Sequence, residues 1–309
     1  MRNLELFVAA YEERSFTLAA AREGATQSGV SQHVRNLEVR HGVELFRREK
    51  GRVLPTPAAD VFYQHCLHAL RASDTAFQRL RQFSFGLTGE TRLGLMPTVN
   101  AAALAPALMR FRARHPNVKV SVTEAYSAAL VAQVMAGELD VAVVPAMPAV
   151  QGLRISNFMA TPEVLVRAKG ADAGENAGGA PVRLAGLGPL KLVLPEIANV
   201  RAQTVRSHLN AHGAQIGEVV EMNSMMATLD LIGRSDWCAI LPALLMATRT
   251  YGEMFDVRPL DPPMVLQLVM VESAATALPP AAEAFCEVLR ETCMGLLAEG
   301  WPAGGHRPG

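Results

Sequence analysis

Residues 15–38, SFTLAAAREGATQSGVSQHVRNLE, decide how the rest of the chain is read. The stretch has the pattern of two short helices joined by a tight turn. Ser15 is placed to cap the first helix, which carries Phe16, Leu18, Ala19 and Ala20. Its hydroxyl can accept a hydrogen bond from an N–H that the first turn leaves free. Gly24 ends that helix and supplies the turn, because a residue without Cβ enters the left-handed region at no steric cost. Thr26 is placed to cap a second helix running from Gln27 to Arg40. Val30, Val34 and Leu37 recur at spacings of four and three, so they share an inward face. The other side presents Thr26, Gln27, Ser28, Ser31, Gln32 and Arg35, with His33 on or near it. Two readings fit this pattern. One is a recognition helix, with Gln and Ser facing base edges and Arg facing phosphate or guanine. The other is an amphipathic helical hairpin with a solvated polar face.

The flanking residues separate the two readings. Leu45–Thr56, LFRREKGRVLPT, places two short apolar segments around a basic turn, the pattern of a small β-wing. Arg47, Arg48, Lys50 and Arg52 would lie along a phosphate backbone. Between Arg35 and Arg52 there are six cations (Arg35, Arg40, Arg47, Arg48, Lys50, Arg52) against three anions (Glu38, Glu44, Glu49). At this point the sequence resembles the LysR-type transcriptional regulators. SFTLAA, TQSGVSQHVRNLE, GVELFRR and VLPTPA stand in that family's order and at its spacing. Two positions depart from the pattern: Glu23, where the family usually has an apolar residue, and Ala59, where it usually has glycine. Both bear on packing and neither lies on the DNA face. The candidate DNA-binding residues are Thr26, Gln27, Ser28, Ser31, Gln32, His33, Arg35, Arg48, Lys50 and Arg52.

With 309 residues the chain has room for one large domain or two to three smaller ones, and its composition, 50% apolar and 19% charged, is that of a globular protein. A net charge of zero argues against binding nucleic acid through bulk charge, but not against local basic patches. The N-terminus, broken by Glu5, Glu12 and Glu13, does not read as a signal peptide. No apolar run approaches the ~20 residues of a membrane span. A cytoplasmic location follows as the expectation. Cys66, Cys238, Cys286 and Cys293 form no CxxC pair and have no zinc spacing, so they read as core residues rather than as a redox switch.

Taken in order, the chain opens with a helix over residues 4–13. After the wing, Thr56-Pro57 is a cap followed by proline at the first helical position, with Asp60 in the first turn. Nothing breaks that helix until about Phe85. Phe62, Cys66, Ala69, Ser73, Ala76, Leu80 and Phe83 form a rough heptad stripe. The stripe either pairs two subunits or lies on the chain's own C-terminal domain. In the resembled family it is a linker helix that makes the dimer, which implies an inverted-repeat DNA site. From Gly89 the pattern becomes βα, predicting a mostly parallel sheet with helices on both faces. Strands are expected at 91–95, 118–124, 141–144, 163–168, 191–195, 218–222, 238–241 and 265–272, with a last helix at 279–298. Two similar βα sets imply two subdomains around a cleft. This agrees with the periplasmic-binding-protein-like effector domain of the resembled family.

The resulting fold class is α+β multidomain. A winged helix-turn-helix at 1–58 is followed by a linker helix at 59–88 and a two-subdomain α/β effector domain at 89–300. Subdomain I covers about 89–162 and 266–300, subdomain II about 163–265. A surface loop is expected at Gly170–Pro181 and a disordered tail at 301–309. Helix caps at the carboxyl ends of strands would face the cleft: Thr98, Asn100, Ser127, Asn199, Asn223 and Ser224. Arg201 would add a full positive charge, so a small organic anion is the expected effector. Met96, Met225, Met226 and Phe158 are candidates for an apolar wall. No GxSxG, P-loop, GxGxxG or HExxH motif supports an enzyme, and no cofactor or metal is expected. A transporter's solute-binding protein and an uncharacterised α/β enzyme are the alternatives. The expected partners are promoter DNA, a small-molecule effector and a second copy of the chain. The resemblance adds a tetramer and RNA polymerase.

Overall fold

The computed structural model describes residues 1–49, 52–170, 180–196 and 199–300. The N-terminal head is built from α1 (Arg2–Glu13), α2 (Phe16–Glu23), α3 (Gln27–His41) and a hairpin of β1 (Phe46–Glu49) and β2 (Arg52–Pro55). Its local signals act as the sequence predicts. The Leu18 N–H donates to Ser15 Oγ, Gly24 closes α2 at φ 58, and the Gly29 N–H donates to Thr26 Oγ1. Phe7 is the hub of the head core, its ring 4.7 Å from Phe62 and 5.8 Å from Phe46. Val30 and Val34 of α3 close the same core, which therefore joins helices, wing and the start of the next helix. Burying side chains of this size contributes ~1.5–3 kcal/mol each. Glu38 adds a polar tie, its Oε1 accepting from the Leu45 N–H at 2.8 Å and the Phe46 N–H at 3.1 Å. Ala59 is fully buried against this core, and Glu23 is absorbed by Arg2 at 3.2 Å, so both departures from the family pattern are accommodated.

The helix α4 (Pro57–Phe85) is capped by Thr56, whose Oγ1 accepts from the Ala59 N–H. The expected stripe divides between two environments. Phe62 and Cys66 pack into the head core, whereas Ala69, Ala76 and Leu80 are exposed; the side chain of Phe83 lies outside the described residues. The exposed face runs through Val61, His65, Ala69, Ala72, Ala76 and Leu80, at spacings of four, four, three, four and four. The other side lies on the chain's own C-terminal domain. His68 Nε2 is 3.0 Å from the Met135 carbonyl, and Arg79 donates to Leu278 O at 3.0 Å and Glu283 Oε1 at 2.9 Å. Burial there, with Arg92 nearby, lowers the Arg71 pKa to about 10.

The C-terminal part corrects the sequence reading in one respect. Strands β3 (Gly89–Leu95), β4 (Val118–Glu124) and β5 (Val141–Pro145) are parallel, as are β8 (Leu190–Leu194) and β9 (Ile216–Glu221). The larger sheet is mixed, however. Strands β6 (Leu153–Ala168) and β11 (Phe255–Ser273) pair antiparallel from end to end except between Pro259 and Met264, where Leu260 and Asp261 pair with the short β7 (Val182–Arg183), and β10 (Ala239–Pro242) is antiparallel to β6. Only the apolar ends of these two strands were legible. Their middles carry Pro162, Asp261, Pro262 and Pro263, which break the strand pattern, yet they continue as the ribbons linking the two halves. Gly94 of β3 lets α7 (Ser127–Met135) approach closely, because a Cβ there would come within 2.9 Å of Leu130. Residues 171–179 of the expected loop and the tail 301–309 lie outside the described residues.

Candidate functional sites

The outer face of α3 presents Thr26, Gln27, Ser28, Gln32 and Arg35 exposed, with Ser31 half-buried among them. Ser28 Oγ lies 3.3 Å from Thr26 Oγ1, and Gln32 Nε2 donates to Asn36 Oδ1 at 2.9 Å. Asn36 therefore belongs to this face, one turn on from Gln32, and was missed by the sequence reading. His33 departs from expectation. It is half-buried on the core side, between the turns carrying Val30 and Leu37, and its Nε2 is buried without a partner. Arg48 on β1 pairs with Val53 and Arg52 on β2 pairs with Glu49 across the hairpin; the side chains of both arginines lie outside the described residues. Lys50 lies outside the described residues altogether.

The cleft is the second site. It has about 550 Å³ of empty space, open to solvent, between the carboxyl ends of strands in the two halves. Two stretches of one half line it: Pro97 and Thr98, and Tyr126 and Ser127. The other half contributes Asn199, Arg201, Met222, Met225 and Thr228, with Leu241 at the floor. Of the expected caps, two act on their own helices. Asn199 Oδ1 accepts from the Arg201 N–H at 2.9 Å, opening α8 (Val200–Ala211), and Ser224 Oγ accepts from the Ala227 N–H, opening α9 (Met225–Gly233). Asn223 instead accepts from the Glu196 N–H at 3.2 Å. Three expected caps do not cap. The helix bearing Thr98 starts at Pro97 after Met96, and the structural cap of α7 is Tyr126 rather than Ser127. Asn100 lies in a π turn (Asn100–Leu104) that joins α5 (Pro97–Val99) to α6 (Ala105–Arg114) as one unbroken helix, and its Nδ2 donates to Glu124. Thr98 is only 4% exposed, and its hydroxyl has no partner.

Arg201 overturns the expectation of a free cation. It is 7% exposed, and its Nε and Nη2 donate to the two oxygens of Glu163, each at 2.8 Å. Nη2 also donates to the Ile240 carbonyl. Glu163, 1% exposed, opens the apolar half of β6. A fork-to-fork pair of this kind is strong because both donors and both acceptors are satisfied in a dry site. The charge of Arg201 is thus neutralised within the protein. Met96 and Met225 line the cleft as expected. Met226 is 83% exposed, and Phe158 is buried in the core under Arg290 rather than in the cleft.

Comparison with known proteins bears on both sites. The family of bacterial regulatory helix-turn-helix proteins of the lysR type matches residues 1–60, and the LysR substrate binding domain matches residues 86–294. The chain belongs to the LysR family. Among its relatives, the regulator IlvR of Caulobacter vibrioides is 28% identical over 272 residues, 86% of this chain and 89% of that one. The nitrogen assimilation regulatory protein nac of Klebsiella aerogenes is 29% identical over 296 residues, 94% of this chain and 93% of that one. A cysteine-to-aspartate variant of full-length OxyR from Pseudomonas aeruginosa has the same fold, with a TM-score of 0.70 at 18% identity over 94% of this chain and 97% of that one. Full-length CbnR complexed with target DNA superposes at a TM-score of 0.58 and 21% identity, covering 94% of this chain and 99% of that one.

This LysR-type chain is a transcriptional regulator and not an enzyme, and its effector domain is the substrate-binding module that the family carries. No described helix is long and apolar enough to cross a membrane. Its four cysteines are free and buried, and burial pushes the thiols up, to about 11 for Cys66 and Cys238 and about 12 for Cys286 and Cys293. A thiol in that range is scarcely ionised near neutrality and is a poor nucleophile. The residue the sequence reading missed is Glu163, buried beside the cleft as the partner of Arg201. Its one signal was a lone acid opening the strand EVLVRA, where an apolar residue would be the default.

Proposed function

We propose that this LysR-type regulator binds an interrupted inverted repeat in promoter DNA as a homodimer, two of which form a tetramer, and that a small-molecule effector in the cleft selects between arrangements of the heads. The observation that carries the DNA reading is the exposed ridge Gln27, Ser28, Gln32 and Arg35 on a helix whose other face is locked into the head core. Such a ridge offers amide, hydroxyl and guanidinium groups to base edges, and Arg48 and Arg52, whose positions fall on the wing strands, are read as contacts to the flanking backbone. The dimer reading rests on the exposed apolar stripe of α4, where Val61 and Leu80 are 62% and 67% exposed. An inverted repeat follows from a two-fold axis along paired α4 helices. Action on promoters places the protein in the cytoplasm beside RNA polymerase.

Support for the effector reading is the unpartnered Thr98 hydroxyl together with Ser127 at the start of α7, where no side chain caps the first N–H groups. These groups favour a ligand with a hydrogen-bond acceptor. Arg201 no longer supports a small organic anion, since its charge is matched by Glu163. An effector bound more tightly in one assembly state than in another shifts the population toward that state. The test is fluorescence anisotropy of full-length protein on a selected inverted repeat and on its scrambled version, with sedimentation to fix the oligomer. Binding to the repeat at least tenfold tighter, by a dimer or tetramer, is the expected result. Equal affinity for both sequences, or a monomer on DNA, contradicts it.

A further inference from the structure

The cleft differs from an anion site in its charge balance, and that difference points to a ligand class. The inference rests on the cleft being the effector site. Among the described residues lining it, Arg201 is the only charged one, and its charge is already matched. The remaining wall is apolar on one side, through Met222, Met225 and Leu241. Two carboxylates stand at the carboxyl ends of the strands that open the cleft: Glu124 at the end of β4 and Glu196 just past β8. Neither is in an ion pair among the described residues. Burial raises the pKa of the cleft residue Tyr126; Arg201 lowers it, and Glu124 and then Glu196 raise it by less than Arg201 lowers it.

A carboxylate entering this space would lose its hydration, meet no unmatched cation and approach two like charges. The open start of α7 offers in return about half an elementary charge, which does not replace the lost hydration, and the exposed Glu124 and Glu196 add a solvent-screened repulsion. A cation would also lose its hydration and would face the positive end of α7, while the exposed Glu124 and Glu196 lie outside the lining and are screened by solvent. A neutral acceptor incurs neither penalty, and the buried Thr98 hydroxyl, with no partner of its own, is placed to meet it. We propose that the cleft takes an uncharged amphipathic molecule, with its apolar body against Met222, Met225 and Leu241 and a single carbonyl or hydroxyl group on Thr98. Glu163 is the specificity-determining residue, because it keeps Arg201 from acting as an anion receptor.

The experiment titrates full-length protein with three probes that share one ring: benzamide, benzoate and benzylamine. Ligand-observed NMR is used at millimolar probe, fixed neutral pH and fixed ionic strength. Benzamide is expected to bind at least tenfold tighter than either charged probe. Tighter binding of benzoate or benzylamine overturns the proposal, as does no binding of any probe. Glu163→Gln frees the guanidinium and should reverse the order in favour of benzoate. The double variant Glu163→Gln/Arg201→Gln should restore the preference for benzamide, and an unchanged order in Glu163→Gln contradicts the role given to Glu163. If Glu163→Gln does not fold, the wild-type order and the double variant still decide. Met225→Trp, which fills the cleft, should abolish binding of all three probes. Undiminished binding there means that the probes sit elsewhere and removes the cleft reading itself, whatever their order.

Discussion

The outer face of α3 and the floor of the cleft carry similar chemistry, amides, hydroxyls and one arginine each, but in opposite states. On α3, Gln27 and Arg35 are exposed and have no side-chain partner among the described residues. In the cleft, Arg201 is held by three hydrogen bonds to Glu163 and Ile240, and Asn199 is occupied by its own helix; Asn100, Asn223 and Ser224 do not line the cleft. The first surface is solvated and open to a partner. The second is already satisfied, apart from the Thr98 hydroxyl and the open start of α7. Arginine therefore signals a ligand only where nothing in the fold has claimed it first.

The largest effect that would test this contrast is on stability. Glu163→Ala leaves a buried guanidinium unmatched and is expected to cost about 3–5 kcal/mol, read by urea unfolding of the effector domain. Arg35→Ala, on the open surface, should stay within about 0.5 kcal/mol of wild type in the same measurement. A small loss for Glu163→Ala would mean that the two arginines are in equivalent states. Next in size, Gln32→Ala should lose about 1–3 kcal/mol of discrimination at one or two base positions, measured by binding to single-base variants of the site. A uniform loss on every sequence would place Gln32 on phosphate instead. Thr26→Ala removes the cap of α3 and should destabilise the head by about 1 kcal/mol, seen by thermal unfolding. Arg35→Ala should flatten the slope of log affinity against log salt by about 1 if it contacts phosphate; an unchanged slope would assign it to a base. A last contrast concerns the thiols, and it appears only at alkaline pH. Their folded pKa values, about 11 to 12, lie above those of the unfolded chain. The contribution is fully present below about pH 9 and is lost as pH rises, because the unfolded thiols ionise first. Stability that rises between pH 9 and pH 11 would contradict the buried-thiol picture.

The head was legible because its determinants are local. Ser15, Gly24, Thr26 and Thr56 each act within four residues of their own position, and spacing alone shows which side of α3 faces out. Even there His33 was misplaced, since a residue at the edge of a helical face turns inward or outward according to packing. The cleft was not legible to the same depth. Arg201 and Glu163 are 38 positions apart, on α8 and β6, and nothing in either segment names the other. The ribbons β6 and β11 hid their lengths behind prolines, so the crossing between the two halves could be inferred only from its ends. Thr98 and Ser127 reach the cleft as expected, but as members of a helix's first turn rather than as its caps.

The central claim is that α3 of each head reads a defined sequence in a two-fold arrangement. Its most direct test is retention of fragmented genomic DNA from the source organism on purified full-length protein, followed by sequencing of the retained fragments. The account predicts a few sharp sites, each centred on an interrupted inverted repeat, that persist at physiological salt. Featureless retention that vanishes with moderate salt would contradict it, and would leave the polar ridge of α3 as a solvated helix face.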